Sequence, residues 1–512
     1  MKLKYFQERE EKFMRYLPDG VWMQKADTHT IENIGIPSMV LMERAALKTV
    51  EIMEREQINL HNALLVCGSG NNGGDGFAIA RLLMEKGYTP AVVFAGKEQS
   101  LSAQCRLQKE IIEKLGIVPC TEILPDEYTV VIDALFGVGL SREIQGHYAE
   151  IIEQMNQIQA EKVAVDIPSG IHAGNGRVMG TAFQAELTVT FACEKLGCVL
   201  YPGKNYAGKV IPAEIGICTE IFKEASSMCF AYERDDLYKN LPKRKADSHK
   251  GTYGKVLMIA GSKGMAGAAY LAAKAAYTAG AGLVQIYTVQ DNQVILQQLV
   301  PEAIIEVYRE YDKEQLERLL EWADIVCIGC GIGQSKTASS ILTETLKQVK
   351  VPCIIDADGL NLLSRHMELL KDGKGAWILT PHMKEMSRLT GRSIEEWKEN
   401  RLEGLVAFTQ KYPVVCALKD SRTVVSAEGK QLFVNTAGSS AMAKAGSGDV
   451  LAGTITGLTA QGLSPYEGCI LGVYLHACGG EEAAKEKGEY SVLAEDLICG
   501  IQRCLKNAKE RK

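Results

Sequence analysis

The chain has 512 residues, which is too long for a single hydrophobic core, so we expect at least two domains. Hydrophobic residues make up 46% of it and charged residues 23%, as in an ordinary globular protein. The formal net charge of -6 at pH 7 excludes a strongly basic chain, and no Lys/Arg cluster is interleaved with aromatic residues. We therefore expect no nucleic-acid partner.

The N-terminal residues are charged rather than apolar, and no apolar run is long enough to span a bilayer. We expect a cytoplasmic protein without a membrane partner. The fifteen cysteines are scattered, mostly through apolar segments, which is typical of buried thiols in a reducing compartment. Cys327 and Cys330 form a C-x-x-C pair, a pattern of redox and zinc sites, but no second pair or His cluster stands nearby. We interpret both as buried apolar residues.

Short β-rich apolar runs alternate with helical patterns along the chain, which predicts an α/β fold with parallel sheets covered by helices. The polar segment Glu233–Lys250 separates two halves, and we divide the chain into domains 1–225 and 226–512. First-domain strands are predicted at Ala63–Cys67, Val130–Ala134, Val163–Asp166 and Leu187–Phe191. Second-domain strands are predicted at Val256–Ala260, Val284–Thr288, Ile325–Gly329, Cys353–Asp356, Trp377–Leu379 and Val414–Leu418, with a hairpin of Thr423–Ser426 and Leu432–Asn435.

A polar glycine loop, Gly68–Gly76, follows the first predicted strand and precedes a helix predicted from Phe77 to about Glu85. Strand, glycine loop and helix in this order form a geometry that holds the phosphates of nucleotides. The loop is neither a dinucleotide fingerprint nor a P-loop, because two Asn and one Asp occupy its tip and no Lys-Ser/Thr pair ends it. Its Asn side chains can ligate a hard cation, bind hydroxyls or bend the chain.

Two aspartates end further predicted strands of this domain. Asp133 is followed by the loop Ala134–Arg142, and Asp166 by Ile167–Gly170. Ligands of open α/β sheets bind at the carboxyl ends of strands, so these residues predict a site. The alternative is that both carboxylates only cap helices or turns.

Three segments, NNGGDG from Asn71, DALFGVGLSR from Asp133 and VDIPSGI from Val165, together resemble the N-terminal NAD(P)H-hydrate epimerase domain over residues 23–217. The resemblance implies a Rossmann-like three-layer fold and hydrated NADH or NADPH as the substrate. It implies substrate binding by Asn71, Asn72, Gly73, Gly74, Asp75, Gly137, Val138, Gly139, Leu140, Ser141, Arg142, Glu143 and Asp166, and K⁺ binding by Asn72, Asp133 and Ser169.

Epimerisation removes a hydroxyl from the carbon beside the ring nitrogen, passes through a cationic imine and adds water to the other face. A carboxylate can stabilise that cation and carry the proton, and we assign this catalytic role to Asp166. One departure from the family lies upstream, where LMENAG is usual and this chain has Arg44 and Ala46 in that segment. If that helix shapes the site or a dimer contact, we expect altered epimerase efficiency.

The second domain contains a Gly-Ser-Gly-Asp run, Gly446–Asp449, where a loop is predicted to become a helix. Backbone N–H groups at such a turn converge on an anion, most usefully a phosphate. Asp449 beside that point suggests a base that takes a proton from a hydroxyl nucleophile during phosphoryl transfer. The alternative is an ordinary N-cap loop in which Asp449 caps its own helix.

Together with glycine loops at Gly261–Ala268 and Gly329–Gly333, the segment Asp356–Asn361 and Thr380-Pro381-His382, this run resembles the ADP/ATP-dependent NAD(P)H-hydrate dehydratases, relatives of ribokinase-like sugar kinases. The resemblance covers residue 237 to the C-terminus and implies a ribokinase-like three-layer domain. It implies hydrate binding by Ala268, Gly333, His382 and Asp449, and binding of ADP or ATP, with Mg²⁺, by Lys419, Asp420, Ser421, Arg422, Thr423 and Gly448.

By that resemblance the catalytic Asp449 deprotonates the hydroxyl, which attacks the terminal phosphate, and the phosphorylated carbon then expels phosphate to regenerate NAD(P)H. Two positions depart from the family: Asp420 stands where glycine is frequent, and Cys330 where proline is frequent. Outside its sequence context His382 is better explained as a helix cap. Asp356 and Asp358 have the alternative role of ordering a loop.

We therefore expect a bifunctional repair enzyme, an isomerase fused to a lyase. A small-molecule kinase fused to a nucleotide-binding domain is the alternative enzyme, and a first domain that only binds is a third hypothesis. Asp133 and Asp166 argue against the third, because a pure binder of an anion does not need both carboxylates. ADP and ATP both stay open as donor, with ADP favoured by resemblance to bacterial types. We expect a homo-oligomer whose subunit number the pattern leaves open.

Overall fold

The computed structural model describes residues 14–510. Two compact units meet in the sequence between Phe230 and Ala231. The strands of the first unit are β1 (Arg15–Leu17), β2 (Ala63–Cys67), β3 (Ala91–Phe94), β4 (Val130–Ala134), β5 (Glu161–Val165), β6 (Leu187–Phe191) and β7 (Lys209–Ala213), and β8 (Cys229–Ala231) lies at the boundary. Its helices are α1 (Gly20–Thr28), which continues as a π-helix (His29–Ile34), α2 (Ser38–Arg55), α3 (Asn71–Glu85), α4 (Ala103–Lys114), α5 (His147–Gln157), α6 (Leu196–Val199) and α7 (Gly203–Ala207).

The first unit is a three-layer α/β domain. Its parallel sheet has the order β3-β2-β4-β5-β6-β7. Alternate residues of β2 belong to two hydrophobic cores, one on each face of the sheet, because successive side chains of a strand point to opposite faces. Leu65 and Cys67 pack with α2, α3 and α4, whereas Leu64 and Val66 pack with α5. Helices therefore cover both faces of the sheet.

The second unit contains β9 (Lys255–Ile259), β10 (Leu283–Val289), β11 (Ile304–Tyr308), β12 (Ile325–Ile328), β13 (Cys353–Ile355), β14 (Trp377–Leu379), β15 (Val414–Leu418), β16 (Val424–Ser426) and β17 (Leu432–Val434). Its helices are α8 (Arg234–Asn240), α9 (Ala266–Ala279), α10 (Gln293–Leu299), α11 (Lys313–Trp322), α12 (Lys336–Gln348), α13 (Asp358–Leu363), α14 (Leu369–Asp372), α15 (Met383–Thr390), α16 (Ile394–Glu399), α17 (Arg401–Lys411), α18 (Ser447–Thr459), α19 (Pro465–Lys487) and α20 (Ala494–Glu510).

The sheet of the second unit has the order β17-β16-β15-β14-β13-β12-β9-β10-β11. It is parallel from β15 to β11, and β16 and β17 form the predicted antiparallel hairpin. Helices α18 and α9 pack so closely that their backbones touch at two glycines of α18. A Cβ at Gly453 would lie 2.1 Å from the Ala272 carbonyl oxygen, and a Cβ at Gly457 would lie 2.3 Å from the Ala276 carbonyl oxygen. This close packing fixes the N-terminus of α18, where the Gly-Ser-Gly-Asp run lies.

The predicted α/β class and the predicted strands are confirmed within one or two residues at their ends, whereas β1, β3, β7, β8 and β11 were missed. The prediction that the first glycine loop precedes a helix starting at Phe77 was wrong, because α3 begins at Asn71. A Cβ at Gly73 would lie 1.9 Å from the Gly68 carbonyl oxygen, and one at Gly76 2.6 Å from the Cys67 sulfur. These glycines therefore let a helix approach β2. Between residues 14 and 510, no helix combines the length and the apolar character that crossing a membrane would require.

Candidate active sites

The first unit has a cavity of about 480 Å³ at the carboxyl ends of β2, β4, β5 and β6. This is the edge at which α/β sheets bind ligands. The glycine-rich segment after β4, the first turn of α3 and a face of α1 form much of its wall. The predicted site residues that line it are Asn71, Asn72, Asp75, Gly137, Val138, Gly139, Leu140, Arg142 and Asp166.

Other predicted residues of this domain lie elsewhere. Gly73 and Gly74 serve helix packing, since a Cβ at Gly74 would lie 2.7 Å from the Met42 side chain. Ser141 and Glu143 are exposed and do not line the cavity. The structure thus brings together the tips of both predicted loops but not every residue within them.

Asp166 is held at the end of β5 by a buried lysine. Lys195 is fully buried, and its ammonium group donates to the Asp166 carboxylate, to the Thr190 hydroxyl at 3.0 Å and to the Phe191 carbonyl at 2.8 Å. The Asp166 carboxylate also accepts the Phe191 N–H at 3.0 Å. Its φ of 68° lies in the left-handed region, which non-glycine residues rarely adopt outside functional sites.

Asp27 and Asp75 place two more carboxyl groups in the same cavity, and sequence reasoning missed Asp27 as well as Lys195. Burial, with Asp166 as a second cause, raises the pKa of Asp27. Burial together with Asp166 and Asp27 raises the pKa of Asp75 well above its usual value. The spacing of Asp27 three residues after Gln24 and four after Met23 on one helix face was the available signal.

Asp133 and Ser169 form a buried unit behind the cavity. The Ser169 hydroxyl donates to the Asp133 carboxylate at 2.6 Å and accepts the Phe136 N–H at 2.8 Å. The Asp133 carboxylate also accepts the N–H groups of Ser169 at 2.7 Å and Leu135 at 3.1 Å. Burial raises the pKa of Asp133 to about 6, against the opposing effect of the Ser169 bonds.

Asn72 lies on the cavity side of this unit, 9% exposed, and a Cβ at Gly137 would be 3.3 Å from the Asn72 Cβ. Among the described residues its side-chain Nδ2 has no hydrogen-bond partner.

The second site begins at the N-terminus of α18. Gly446 is the N-cap with a φ of 90° and makes no side-chain cap bond, so Asp449 lies in the first turn and does not cap its helix. The capping alternative is therefore wrong. Burial first, and then Asp356, raises the pKa of Asp449 to about 6. Below the turn, the Ser447 hydroxyl lies 3.4 Å from Nε2 of the buried His476.

Lys419 and Asp356 form an ion pair beside this turn. The Lys419 ammonium lies 2.7 Å from the Asp356 carboxylate, which also accepts the Thr380 hydroxyl at 2.7 Å. A Cβ at Gly448 would lie 3.6 Å from both an Asp356 oxygen and the Lys419 nitrogen. Glycine therefore keeps the space between the helix turn and a cation open, as a phosphate site requires.

The remaining predicted hydrate contacts are Gly333, Ala268 at the start of α9, and His382. The Gly333 N–H donates to the Asp358 carboxylate at 3.0 Å. Ala268 lies close to Gly331, because a Cβ added at Gly331 would be 2.9 Å from the Ala268 Cβ. His382 does cap a helix, because its Nδ1 accepts the N–H groups of Lys384 at 3.1 Å and Glu385 at 3.2 Å. The His382 side chain is half-exposed, its Nε2 lies 3.4 Å from a Glu385 carboxylate oxygen, and burial and Lys419 lower the pKa of His382.

The segment Lys419–Thr423 forms the turn between β15 and β16. The Lys419 N–H donates to the Pro381 carbonyl at 2.8 Å, which places this turn beside His382. Asp420 pairs with Arg401 at 2.7 Å, and Arg422 donates to the Thr436 carbonyl at 2.8 Å. The carboxylate that departs from the family pattern is thus neutralised by a neighbouring helix. Ser421 is exposed at the tip of the turn.

Family models from known proteins match a large part of each unit. A family model described as NAD(P)H-hydrate dehydratase matches residues 256–503, and one described as YjeF-related protein N-terminus matches residues 38–197. The bifunctional NAD(P)H-hydrate repair enzyme Nnr of Moorella thermoacetica is 36% identical, over 97% of this chain and 97% of its own. The chain belongs to this family. The repair enzyme of Coxiella burnetii is 37% identical, over 91% of this chain and 94% of its own.

Family membership confirms the expected fusion of an epimerase and a dehydratase. Among solved structures, a hypothetical protein, SMU.573 from Streptococcus mutans, is 30% identical with a TM-score of 0.50, covering 55% of this chain and 99% of its own. The repair-enzyme family thus accounts for both units, and the expected α/β class is confirmed.

Proposed function

We propose that the chain repairs hydrated NADH and NADPH in two steps, one in each unit. The first unit interconverts the two epimers of the hydrate, and the second dehydrates one epimer with ADP or ATP. The observation that carries this proposal is the family match over nearly the whole chain together with an acid at each site, the buried Asp166 and the partly buried Asp449.

In the first unit, Asp166 is suited to face the reacting ring. The ring nitrogen expels the hydroxyl and leaves a cationic imine, which an adjacent carboxylate stabilises. Lys195 restrains that carboxylate through a largely buried ion pair. The carboxylate therefore needs little reorientation during the reaction. The polar tip Asn71–Asn72 and the segment Gly137–Leu140 would hold the nucleotide.

We propose that K⁺ binds beside Asn72, Asp133 and Ser169. Each of these three side chains has an oxygen atom that could ligate a cation, and the Asp133 carboxylate is fully buried without a cationic partner among the described residues. One uncompensated charge with hydroxyl and amide oxygens fits a monovalent cation. When bound, the ion would neutralise Asp133 and secure the Phe136–Gly137 turn. Ser169→Ala should then raise the K⁺ concentration needed for epimerisation, and unchanged K⁺ dependence would contradict this assignment.

In the second unit, Asp449 would take the proton from the hydroxyl of the hydrate. The hydroxyl oxygen then attacks the terminal phosphorus, and amides of the Gly446–Gly448 turn and the Lys419 ammonium face the transferred group. Loss of phosphate, driven by the ring nitrogen, restores the dihydronicotinamide. His382 and Gly333 would contact the hydrate, and the turn Lys419–Thr423 with Gly448 the adenine nucleotide.

We expect Mg²⁺ to enter with the nucleotide. Over residues 14–510, no group of three or more His, Cys, Asp or Glu is arranged to hold a metal by itself. That finding fits magnesium, which keeps waters and takes substrate phosphates as ligands. We further propose that the enzyme works in the cytoplasm, where its fifteen free cysteines would stay reduced, and as a homo-oligomer, which light scattering would measure.

The test for the second unit separates the dehydratase from a kinase. The purified chain is given one hydrate epimer, Mg²⁺ and either ADP or ATP, and the products are separated by chromatography. We expect NADH and free phosphate in equal amounts with the reactive epimer. A stable phosphorylated hydrate would instead support a small-molecule kinase, and no product with either nucleotide would overturn the proposal.

A further inference from the structure

Inversion at the reacting carbon places a requirement on the epimerase site that one carboxylate does not meet. The hydroxyl leaves from one face of the ring as water, which requires a proton donor on that face. A second water adds to the opposite face and must lose a proton there. Each face of the ring therefore needs its own group for proton transfer, as general acid–base catalysis acts over hydrogen-bond distance.

Asp27 supplies a second carboxyl group from a different wall of the cavity. It lies on α1, whereas Asp166 ends β5, and both line the same space. Helix α1 is seated against the glycine segment after β4, because a Cβ at Gly139 would lie 3.5 Å from Gln24 Nε2 and one at Gly20 2.4 Å from the Val138 carbonyl oxygen. Asp27 is thereby fixed beside the segment expected to hold the nucleotide.

The two carboxyl groups have opposite surroundings. Asp166 is held by Lys195 and a backbone N–H. Asp27 is half-buried and, within residues 14–510, makes neither a hydrogen bond nor an ion pair, so its carboxyl group is available to a ligand. Burial and the nearby Asp166 raise the pKa of Asp27, which favours the protonated donor. Asp75, the third carboxyl group, is 8% exposed in the first turns of α3 and is therefore less accessible than Asp27.

We infer that Asp27 and Asp166 are the two proton-transfer residues of the epimerase, one for each face of the ring. This inference rests on the proposed epimerase function. Asp27 gives its proton to the hydroxyl, the C–O bond breaks, and its electron pair leaves with water while the nitrogen lone pair forms the C=N bond. Water then forms a C–O bond on the other face, the C=N pair returns to nitrogen, and Asp166 takes the released proton. The reverse reaction exchanges the two roles.

The test uses the full chain with Asp27→Asn and no ADP or ATP, so that the dehydratase is idle. One purified epimer is incubated with K⁺ in water labelled with heavy oxygen. Chromatography measures inversion, and mass spectrometry measures exchange of the hydroxyl oxygen. We expect inversion to fall by about 100-fold or more, the scale of a lost general acid. Exchange should persist on one epimer, because Asp166 can still remove and return water on its own face.

Glu32→Gln is the matched control, since Glu32 is an exposed carboxylate next to α1 that does not line the cavity. It should invert and exchange like the wild type. Thermal unfolding reports whether the first unit of Asp27→Asn is folded. Inversion within about threefold of the wild type would overturn the inference, and so would equal loss of inversion and exchange for both epimers in the folded variant. A wild-type chain without epimerase activity would instead overturn the proposed function.

Discussion

The buried ion pair of Lys195 and Asp166 allows a quantitative test of the epimerase site. Lys195→Met removes the ammonium group while keeping an unbranched side chain of similar length. Three acceptors lose their donor: the Asp166 carboxylate, the Thr190 hydroxyl and the Phe191 carbonyl. Because Lys195 is fully buried, the lost contacts lie inside the protein, and three carboxyl groups are left around one cavity without that cation.

Removing one partner of a buried pair costs about 3–5 kcal/mol, because the other charge stays buried without compensation. In a unit of this size, 1 kcal/mol lowers the Tm by about 2–4 °C, so we expect a fall of roughly 6–20 °C. The pair itself contributes much less, since its own desolvation offsets its attraction. The double variant Lys195→Met/Asp166→Asn should therefore regain most of the lost stability.

Differential scanning calorimetry of the full chain measures both variants against the wild type. Epimerase activity should be lost in both, whereas dehydratase activity at 25 °C should stay unchanged because its residues lie in the other unit. A Tm change below about 2 °C for Lys195→Met would refute the reasoning. A double variant no more stable than the single one would show that the uncompensated charge is not the cause.

Two further variants test the dehydratase site. Gly448→Ala would place a Cβ 3.6 Å from an Asp356 oxygen, which is an ordinary contact distance, so we expect an unchanged Tm. The added methyl group would occupy space needed by the nucleotide phosphates. We therefore expect the KM for ADP or ATP to rise by about tenfold or more, which corresponds to about 1.4 kcal/mol of lost binding free energy. An unchanged KM would show that the nucleotide phosphates do not approach this turn. Asp449 acts as a base when ionised, and burial raises its pKa to about 6, so dehydratase kcat/KM should be low below that pH, rise through it and level off above. Asp449→Asn should lose the activity and this pH dependence, and an active variant with the wild-type profile would exclude Asp449 as the base.

The fold was largely predictable because most strands are buried on both faces and read as continuous apolar runs. Of the five missed strands, β3, β7 and β11 are edges of the two sheets as described here, whereas β1 and β8 have only three residues each. β7 and β11 expose part of their side chains and lack such a run. The predicted N-terminus of α3 lay too far along the chain, because its glycines were interpreted as part of a loop. In the structure these glycines allow the helix to pack closely against β2.

The sites were predictable where loops follow strands and less so where a helix from elsewhere completes the cavity. Asp133, Asp166 and Asp449 stand at strand ends or a helix turn, positions that pattern alone identifies. Asp27 and Lys195 carry no such signal, because a charged residue in a helix or a short loop is usually solvated. Their importance depends on tertiary packing, which buries Lys195 fully and turns α1 toward the cavity.

The central claim is that one chain performs both steps of repair. The most direct measurement incubates the purified chain with an equal mixture of NADH-hydrate epimers, K⁺, Mg²⁺ and ADP or ATP, and follows NADH by its absorbance. We predict nucleotide-dependent recovery of all the NADH, including the share that started as the unreactive epimer. Recovery that stops once the reactive epimer is consumed would contradict the epimerase role of the first unit, and no recovery with either nucleotide would contradict the account as a whole.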